Sequence, residues 1–159
     1  KGKALDLACG LGGNALVMAE QGLSVQALDI SSVALARLQT QAALQTLSIH
    51  TQPGTITAES LPRQTFDVIV VSRFLDRSLC NAIMGALTFE GLLFYQTFTR
   101  GKLDPEGPGN PDFLLDRNEL LRLFSPLSVV FYQEDARIGD LSHGHRNEAY
   151  YIGQKINPV

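Results

Sequence analysis

The residues with the clearest chemical potential lie near the start of the chain, in and after a glycine-rich turn. An apolar run leads to Asp6, and Gly10 and Gly12 follow before a helical pattern begins. A strand, a glycine turn and a helix in this order form a nucleotide-binding loop. Asp29 ends the next apolar run, nineteen residues after Gly10, the spacing at which such folds place the acceptor of a ribose diol. The pattern therefore predicts a nucleotide site at the ends of the first two strands.

The charge of Asp6 helps to decide which nucleotide this site takes. The spacing Gly10-x-Gly12-x-x-Ala15 also fits a dinucleotide site, in which a pyrophosphate lies on the helix N-terminus. A carboxylate at the end of the first strand would repel that pyrophosphate, whereas it suits a ligand with an ammonium and a sulfonium group. S-adenosylmethionine carries both cations. The sequence therefore favours S-adenosylmethionine over a dinucleotide.

Two motifs resemble those of class I S-adenosylmethionine-dependent methyltransferases. The segment Asp6-x-Ala8-Cys9-Gly10-x-Gly12-Gly13 is similar to their first motif, and Leu28-Asp29-Ile30-Ser31 is similar to their second. The resemblance implies that the turn contacts the methionine and ribose, that Asp29 holds both ribose hydroxyls, and that Ile30 lies on the adenine. The cofactor-binding residues that it implies in these motifs are Asp6, Ala8, Cys9, Gly10, Gly12, Asn14, Asp29, Ile30 and Ser31.

Alternating strand and helix patterns position these motifs. Strands are predicted at 4–8, 24–29, 47–51, 66–72 and 92–98, with helices at 13–21, after Ser31 or Ser32, and at 78–87. Two last strands, at 127–134 and 149–154, have no helical pattern between them. The predicted fold class is α/β: a Rossmann-like, doubly wound, mostly parallel seven-stranded sheet with an antiparallel C-terminal strand hairpin. That hairpin resembles the methyltransferase fold and is uncommon in dinucleotide dehydrogenases.

Composition limits the partners that we expect. The chain has 159 residues, of which 45% are hydrophobic and 18% charged, with a net charge of −3, which is typical of one globular domain. It has no Lys/Arg cluster and no apolar run longer than a strand, so we expect a small-molecule substrate, no nucleic acid and no membrane span. Cys9 and Cys80 cannot form a disulfide framework, which favours a cytoplasmic protein. The sequence does not predict an oligomeric state.

We expect residues 1–159 to form a single S-adenosylmethionine-binding methyltransferase domain. Members of the family usually carry one or two helices before the first strand, and the chain opens at Lys1-Gly2-Lys3 directly before that strand. We therefore expect an N-terminal helical segment that this sequence lacks.

The third region of the cofactor site begins at Thr57 and Ala58. The family segment that aligns with it usually opens with Asp, whose carboxylate accepts the adenine amino group. Here the Thr57 hydroxyl or Glu59 could substitute, or the backbone alone could hold the adenine. An ordinary surface turn is an equally good interpretation of this segment.

Ser72, Arg73 and Phe74 follow the fourth strand, at the sheet edge where ligands bind in open α/β folds. We include all three in the cofactor site, and Arg73 could contact the methionine carboxylate or an anionic substrate. Methyltransferases that act on the amino groups of DNA bases or glutamine side chains typically place Asn or Asp, two prolines and an aromatic residue there. This chain lacks that pattern, which argues against an acceptor of that kind.

The C-terminal third resembles the tellurite-resistance methyltransferases. Glu119-Leu120, Tyr132-Gln133-Glu134-Asp135 and Gly139-Asp140-Leu141-Ser142-His143 match their tail in order. In that family a His-Arg pair lines the substrate pocket, and here it is His145-Arg146 or is spread over His143 and Arg146.

We take His143, His145 and Arg146 as the catalytic candidates. Arg146 would orient an anionic nucleophile, with help from Arg73, and a histidine would take a proton from a nucleophile that arrives protonated. Two histidines without a nearby cysteine do not make a metal site. The Pro/Gly-rich segment 101–111 is expected to form part of a substrate lid.

These observations predict an S-adenosylmethionine-dependent methyltransferase. Its acceptor would be a small molecule, for which a soft anionic nucleophile of the thiol, tellurite or selenite type needs no strong base. Two alternatives remain: a non-catalytic cofactor-binding module of the same fold, and an NAD-dependent oxidoreductase. The intact Asp6, Gly10, Gly12 and Asp29 argue against a degenerate site, and Asp6 argues against NAD.

Overall fold

The computed structural model describes residues 2–157, whose strands form one seven-stranded sheet in the order β3-β2-β1-β4-β5-β7-β6. Strands β1 to β5 run parallel, and β7 runs antiparallel to both β5 and β6. The predicted fold class is therefore confirmed. The strands are β1 (Lys3–Leu7), β2 (Ser24–Asp29), β3 (Ile49–Pro53), β4 (Phe66–Ser72), β5 (Leu87–Phe98), β6 (Ser128–Gln133) and β7 (Glu148–Gln154), and the helices are α1 (Gly13–Glu20), α2 (Ser32–Leu44), α3 (Cys80–Ala86) and α4 (Glu119–Leu123).

The strand order places a crevice between β1 and β4. From β1 the chain moves outward through β2 and β3, and then returns to the other side of β1 to form β4. Ligands of open α/β sheets bind where the order reverses in this way, beyond the carboxyl ends of the strands. Asp6, Asp29 and Ser72 lie at or near these ends.

Two clusters of buried apolar side chains cover the two faces of the sheet. Ala15, Met18 and Ala19 of α1 and Leu38 of α2 pack on one face, over β1 and β2. The other face carries the larger cluster, which includes residues of β4, β5 and β7 with Ile83 of α3 and Leu120 of α4. None of the helices within residues 2–157 is long and apolar enough to cross a membrane.

The segment between β4 and β5 differs from the sequence prediction. Glu90 and Gly91, which fall between the predicted helix at 78–87 and the predicted strand at 92–98, lie within β5, and the register shifts between Phe66 and Val68 of the facing strand. Glu90 has a φ of 65°. A Cβ on Gly91 would lie 2.9 Å from the Thr88 carbonyl oxygen, so the glycine permits a bulge rather than a chain reversal. The predicted helix at 78–87 is correspondingly shorter, with 310 geometry at Arg77–Leu79 before α3.

Gly12 joins the glycine turn to α1 and has a backbone conformation that favours glycine. Its φ is 75°, and a Cβ there would lie 2.9 Å from Cγ of the buried Leu38 and closer still to the methyl carbons. Gly13, one residue later, has no atom within 4 Å of its Cβ position and does not have a positive φ. A side chain would therefore clash at Gly12, whereas Gly13 has room for one.

We expect Gly12→Ala to lower the free energy of unfolding by about 2 kcal/mol, because it adds both backbone strain and a clash with Leu38. Gly13→Ala is the matched control and should leave stability unchanged or raise it slightly, since alanine favours the helix. Urea unfolding of both variants measures the difference. Equal stability of the two variants would contradict the steric role of Gly12.

Candidate functional site

The turn between β1 and α1 has three left-handed residues at alternate positions. Ala8, Gly10 and Gly12 have φ values of 55°, 54° and 75°. The turn is closed by a hydrogen bond from the Gly12 amide to the Cys9 carbonyl (2.8 Å) and anchored by one from the Cys9 amide to the Leu28 carbonyl (3.0 Å). A positive φ is uncommon for alanine, so the conformation of Ala8 reflects the tight path of the backbone out of β1.

Asp6 lies beneath this turn and is 1% exposed. Its Oδ2 accepts a hydrogen bond from the Ala15 amide at 2.9 Å, while Oδ1 is buried without a partner among the described residues. Burial raises the pKa of Asp6 to about 7 against the lowering effect of the Ala15 amide, and the charge of Asp29 adds to the rise. An orphaned carboxylate oxygen of this kind fits a cationic ligand group, which would supply both the missing hydrogen bond and the compensating charge.

Asp29 links the glycine turn to the start of α2. Its Oδ2 accepts a hydrogen bond from the Gly10 amide (2.7 Å), and its Oδ1 accepts one from the Ser31 amide (2.8 Å). Ser31 in turn caps α2, with its Oγ accepting from the Ala34 amide at 3.2 Å. Each carboxylate oxygen keeps further acceptor capacity, so Asp29 can also receive the hydroxyls of a ribose. The spacing in the sequence indicated the ligand role but not the bond to Gly10.

The adenine side of the predicted site is exposed. Ile30, at 76% exposure, presents an apolar surface beside Asp29. Thr57 and Ala58 are also exposed and open a short 310 helix, in which Thr57 forms a capping box with Ser60. The amide of Gly54 donates to the Asp29 carbonyl at 3.0 Å, which brings the end of β3 beside the second motif.

Cys9 is unsuited to act as a nucleophile. Burial raises the pKa of its thiol to about 12, and the carboxylates of Asp6 and Asp29 add to the effect. Its Sγ contacts the Gly10 carbonyl at 3.6 Å. The thiol therefore stays protonated near neutral pH and serves as a small packing group in the turn.

A cavity of about 460 Å³ lies beside α1, over the half-exposed face of β4, β5 and β7. Most of its lining is apolar, as in many small-molecule sites. Asn14 contributes from the first turn of α1, and Ser72, Gln96 and Tyr150 contribute polar groups from the three strands. The cavity thus extends from the first turn of α1 across β4, β5 and β7.

A polar network that the sequence analysis missed centres on Glu148, which is 5% exposed. Its carboxylate pairs with Nε of Arg73 at 2.8 Å and accepts hydrogen bonds from the Gln96 amide group and from the Tyr150 hydroxyl. Burial, and then the charge of Glu148, raise the pKa of Tyr150 to about 12, so the phenol remains a donor. The available signal was the polar Gln96 within β5 and the acidic Glu148 at the start of β7.

Phe74 lies apart from this network, although it follows Arg73 in sequence. Its side chain packs against the core cluster on the opposite side from the cavity. Its carbonyl accepts a hydrogen bond from the buried Tyr95 hydroxyl at 2.9 Å. Of the three residues predicted after β4, Ser72 lines the cavity and Arg73 joins the network with Glu148.

The three catalytic candidates lie in the loop before β7 and have different surroundings. His145 packs against Tyr150, with 5.0 Å between ring centroids. His143 is exposed, and its Nδ1 lies 2.9 Å from Oδ2 of Asp140. The Arg146 guanidinium donates to backbone carbonyls of its own loop, namely those of His143, Ile138 and Asp140.

Replacing Asp6 with Asn is expected to remove a pH dependence of stability. Because the pKa of Asp6 rises from 3.8 to about 7 on folding, the unfolded chain ionises first, and wild-type stability falls as the pH rises from about 4 to about 7. Between pH 5 and pH 8 this loss amounts to about 3 kcal/mol. Urea unfolding at both pH values should find a smaller loss for Asp6→Asn than for wild type and for the exposed control Glu20→Gln. Equal losses would contradict the assignment.

The chain matches one family model in sequence. The model describes a methyltransferase domain and covers residues 4–86, which include the glycine turn, Asp29, Ser72 and Arg73. No curated protein matches the chain in sequence.

Several solved structures have the same fold. The TehB protein from Haemophilus influenzae has a TM-score of 0.77 and 22% identity, over 97% of this chain and 57% of that protein. Two S-adenosylmethionine-dependent methyltransferases are similar. The one from Mesorhizobium loti has a TM-score of 0.72 and 18% identity, over 96% of this chain and 90% of that one. The one from Methanosarcina mazei has a TM-score of 0.73 and 19% identity, over 98% of this chain and 93% of that one.

This chain therefore spans little more than half the length of TehB. The likeness to these structures is one of fold. The family match covers more than half of the chain and includes both Asp6 with the glycine turn and Asp29. The chain belongs to the methyltransferase domain family.

Proposed function

We propose that this protein transfers a methyl group from S-adenosylmethionine to a small molecule whose accepting atom is a soft anionic nucleophile of the thiol, tellurite or selenite type. The observation that carries the proposal is the buried Asp6 carboxylate, with one oxygen unpartnered beneath the glycine turn. A site for a cation at this place in the fold suits the ammonium and sulfonium groups of the cofactor better than the pyrophosphate of a dinucleotide.

The two carboxylates have separate tasks in the proposed site. Asp6 balances the positive charge of the methionine part, for which its carboxyl must be ionised. Asp29 receives the ribose hydroxyls while it keeps the Gly10 amide in place. Ile30 offers an exposed apolar side chain to the adenine. Thr57 and Ala58, at the start of the 310 helix, belong to the same adenine side of the proposed site.

The cofactor supplies an electrophilic methyl group on a sulfonium sulfur. A nucleophile with an available lone pair needs no strong base; it needs alignment with the methyl–sulfur bond and a site that excludes water. Ser72, Gln96 and Tyr150 provide the polar end of the cavity in which this alignment would take place. The remainder of the lining is mostly apolar.

His145 is the catalytic candidate best placed to receive a proton, because its ring lies against Tyr150 at the cavity. Arg146 holds the shape of the loop that carries His145, through its bonds to three loop carbonyls. We therefore assign Arg146 a positioning role. His143, paired with Asp140 at the surface, is the second proton acceptor in the proposal.

The first test is calorimetric titration of the chain with S-adenosylhomocysteine, with NAD in parallel. We expect micromolar binding of S-adenosylhomocysteine and no heat from NAD, because Asp6 disfavours a pyrophosphate. Binding of NAD alone would overturn the cofactor assignment. A screen of thiols, tellurite and selenite with labelled S-adenosylmethionine then tests the acceptor class.

Asp29→Ala should weaken S-adenosylhomocysteine binding by about 1.5–3 kcal/mol, through the loss of hydrogen bonds to a charged group. Glu20→Ala, on the exposed end of α1, removes the same charge away from the site and serves as the control. The dissociation constants of both variants are measured by calorimetry. An unchanged constant for Asp29→Ala would contradict the ribose role.

A further inference from the structure

We infer that the acceptor carries a negative group, a carboxylate or an inorganic oxyanion, that binds the outer edge of the Arg73 guanidinium in place of Glu106. This inference rests on the proposed function and deepens it, since it places the anionic part of the acceptor at a particular side chain. Four features of the structure support it: the fixed inner edge of Arg73, the loose contact of its outer edge, the independence of the loop from that contact, and the charge balance.

The inner edge of Arg73 is fixed. Its Nε pairs with the buried Glu148 at 2.8 Å, and its backbone amide donates to the Gln96 carbonyl at 2.8 Å. The guanidinium carbon lies 5.3 Å from the centre of the Phe98 ring. The residue adopts a φ of 56° at the end of β4, an uncommon conformation for a side chain of this size. The guanidinium is thus held in one orientation.

The outer edge of Arg73 is held loosely. Its Nη2 lies 3.5 Å from Oε1 of Glu106, and both side chains are more than half exposed, at 56% and 55%. The other oxygen of Glu106 lies 3.5 Å from the Asn147 amide nitrogen. Both separations exceed the usual range of a hydrogen bond between nitrogen and oxygen, and an exposed ion pair of this kind contributes little stability.

The loop that carries Glu106 does not depend on its carboxylate. Lys102 Nζ donates to the carbonyls of Glu106 (2.7 Å) and Pro108 (3.0 Å), and the Leu103 amide donates to the Asn147 side chain (2.9 Å). Gly107 packs so closely on Phe98 that a Cβ would lie 2.7 Å from the ring. The Glu106 side chain can therefore turn away from Arg73 while the backbone of the loop stays in place.

Exchange of one anion for another keeps the number of negative groups in contact with Arg73. Its guanidinium lies between the carboxylates of Glu148 and Glu106, and a ligand anion in the place of Glu106 leaves it paired with two negative groups, while the Glu106 side chain moves into solvent. Arg77, by contrast, is bonded to Glu119 and to two backbone carbonyls, and Arg146 is bonded to its own loop. Arg77 and Arg146 therefore have fewer guanidinium N–H groups available to an incoming anion than Arg73 has.

The position of Arg73 also connects this subsite with the cavity. Gln96 and Tyr150 line the cavity and donate to Glu148, the same carboxylate that fixes Arg73. An anionic group on Arg73 would therefore place the rest of a small acceptor at the polar end of the cavity.

The test compares anion binding by variants of both partners, with S-adenosylhomocysteine present at saturation. The probes are 3-mercaptopropionate, its uncharged counterpart 3-mercaptopropan-1-ol, and selenite, each titrated by calorimetry. We expect Glu106→Gln to bind 3-mercaptopropionate and selenite about two- to fivefold more tightly than wild type, since an exposed competing ion pair is removed. Arg73→Gln should weaken both by about tenfold or more. Neither substitution should alter the binding of the uncharged thiol.

Asp116→Asn is the matched control, because Asp116 forms a similarly exposed pair with Arg100, at 3.2 Å from its Nε. It removes the same charge as Glu106→Gln and should leave anion affinity unchanged. If both substitutions increased anion affinity equally, the effect would be one of net charge and the inference would be overturned. It would also be overturned if Arg73→Gln left anion affinity unchanged, or if the wild type bound no anion. Failure of wild type to bind S-adenosylhomocysteine would instead contradict the proposed function.

Discussion

The burial of the Asp6 carboxylate is the constraint on which the site depends. A lone carboxylate in this position is unfavourable unless hydrogen bonds or a positive charge compensate it, and the structure supplies one amide, from Ala15. The left-handed turn from Ala8 to Gly12 brings α1 over β1 so that this amide reaches the carboxylate. Asp29 then restrains the turn from the side through Gly10. The glycine turn is thus held between two acids, one buried and one half-buried.

The same sheet edge carries a second buried carboxylate with the opposite character. Glu148 is fully engaged by Arg73, Gln96 and Tyr150, whereas Asp6 keeps an oxygen without a partner among the described residues. A satisfied network fixes the geometry of its members. An unsatisfied buried acid favours whatever cation reaches it. The carboxyl ends of the strands therefore combine a site at Asp6 that favours a positive ligand group with a neighbouring network at Glu148 whose geometry is fixed.

Local sequence patterns were sufficient for the fold and for the cofactor turn. The period of apolar residues and the glycines between strand and helix depend on neighbours in sequence, so the order of elements and the place of Asp6 and Asp29 were predictable. The bulge at Glu90 and Gly91 was not, because it depends on the close approach of β4. The contacts of Glu148 and Arg73 join residues 75 positions apart, and no local pattern specifies such a pair. The bonds of Arg146 to its own loop carbonyls depend on a conformation that sequence spacing does not reveal.

The contact between Gly12 and Leu38 makes the hydrophobic core part of ligand recognition. Leu38 belongs to α2, is fully buried, and has no polar atom with which to bind a ligand. Its side chain nevertheless packs against Gly12 and so limits how closely the glycine turn can approach α2. A change in the volume of this one leucine would alter the depth of the binding loop without touching any residue of the motif. Affinity for the nucleotide could thus be tuned, in evolution or by design, from inside the core.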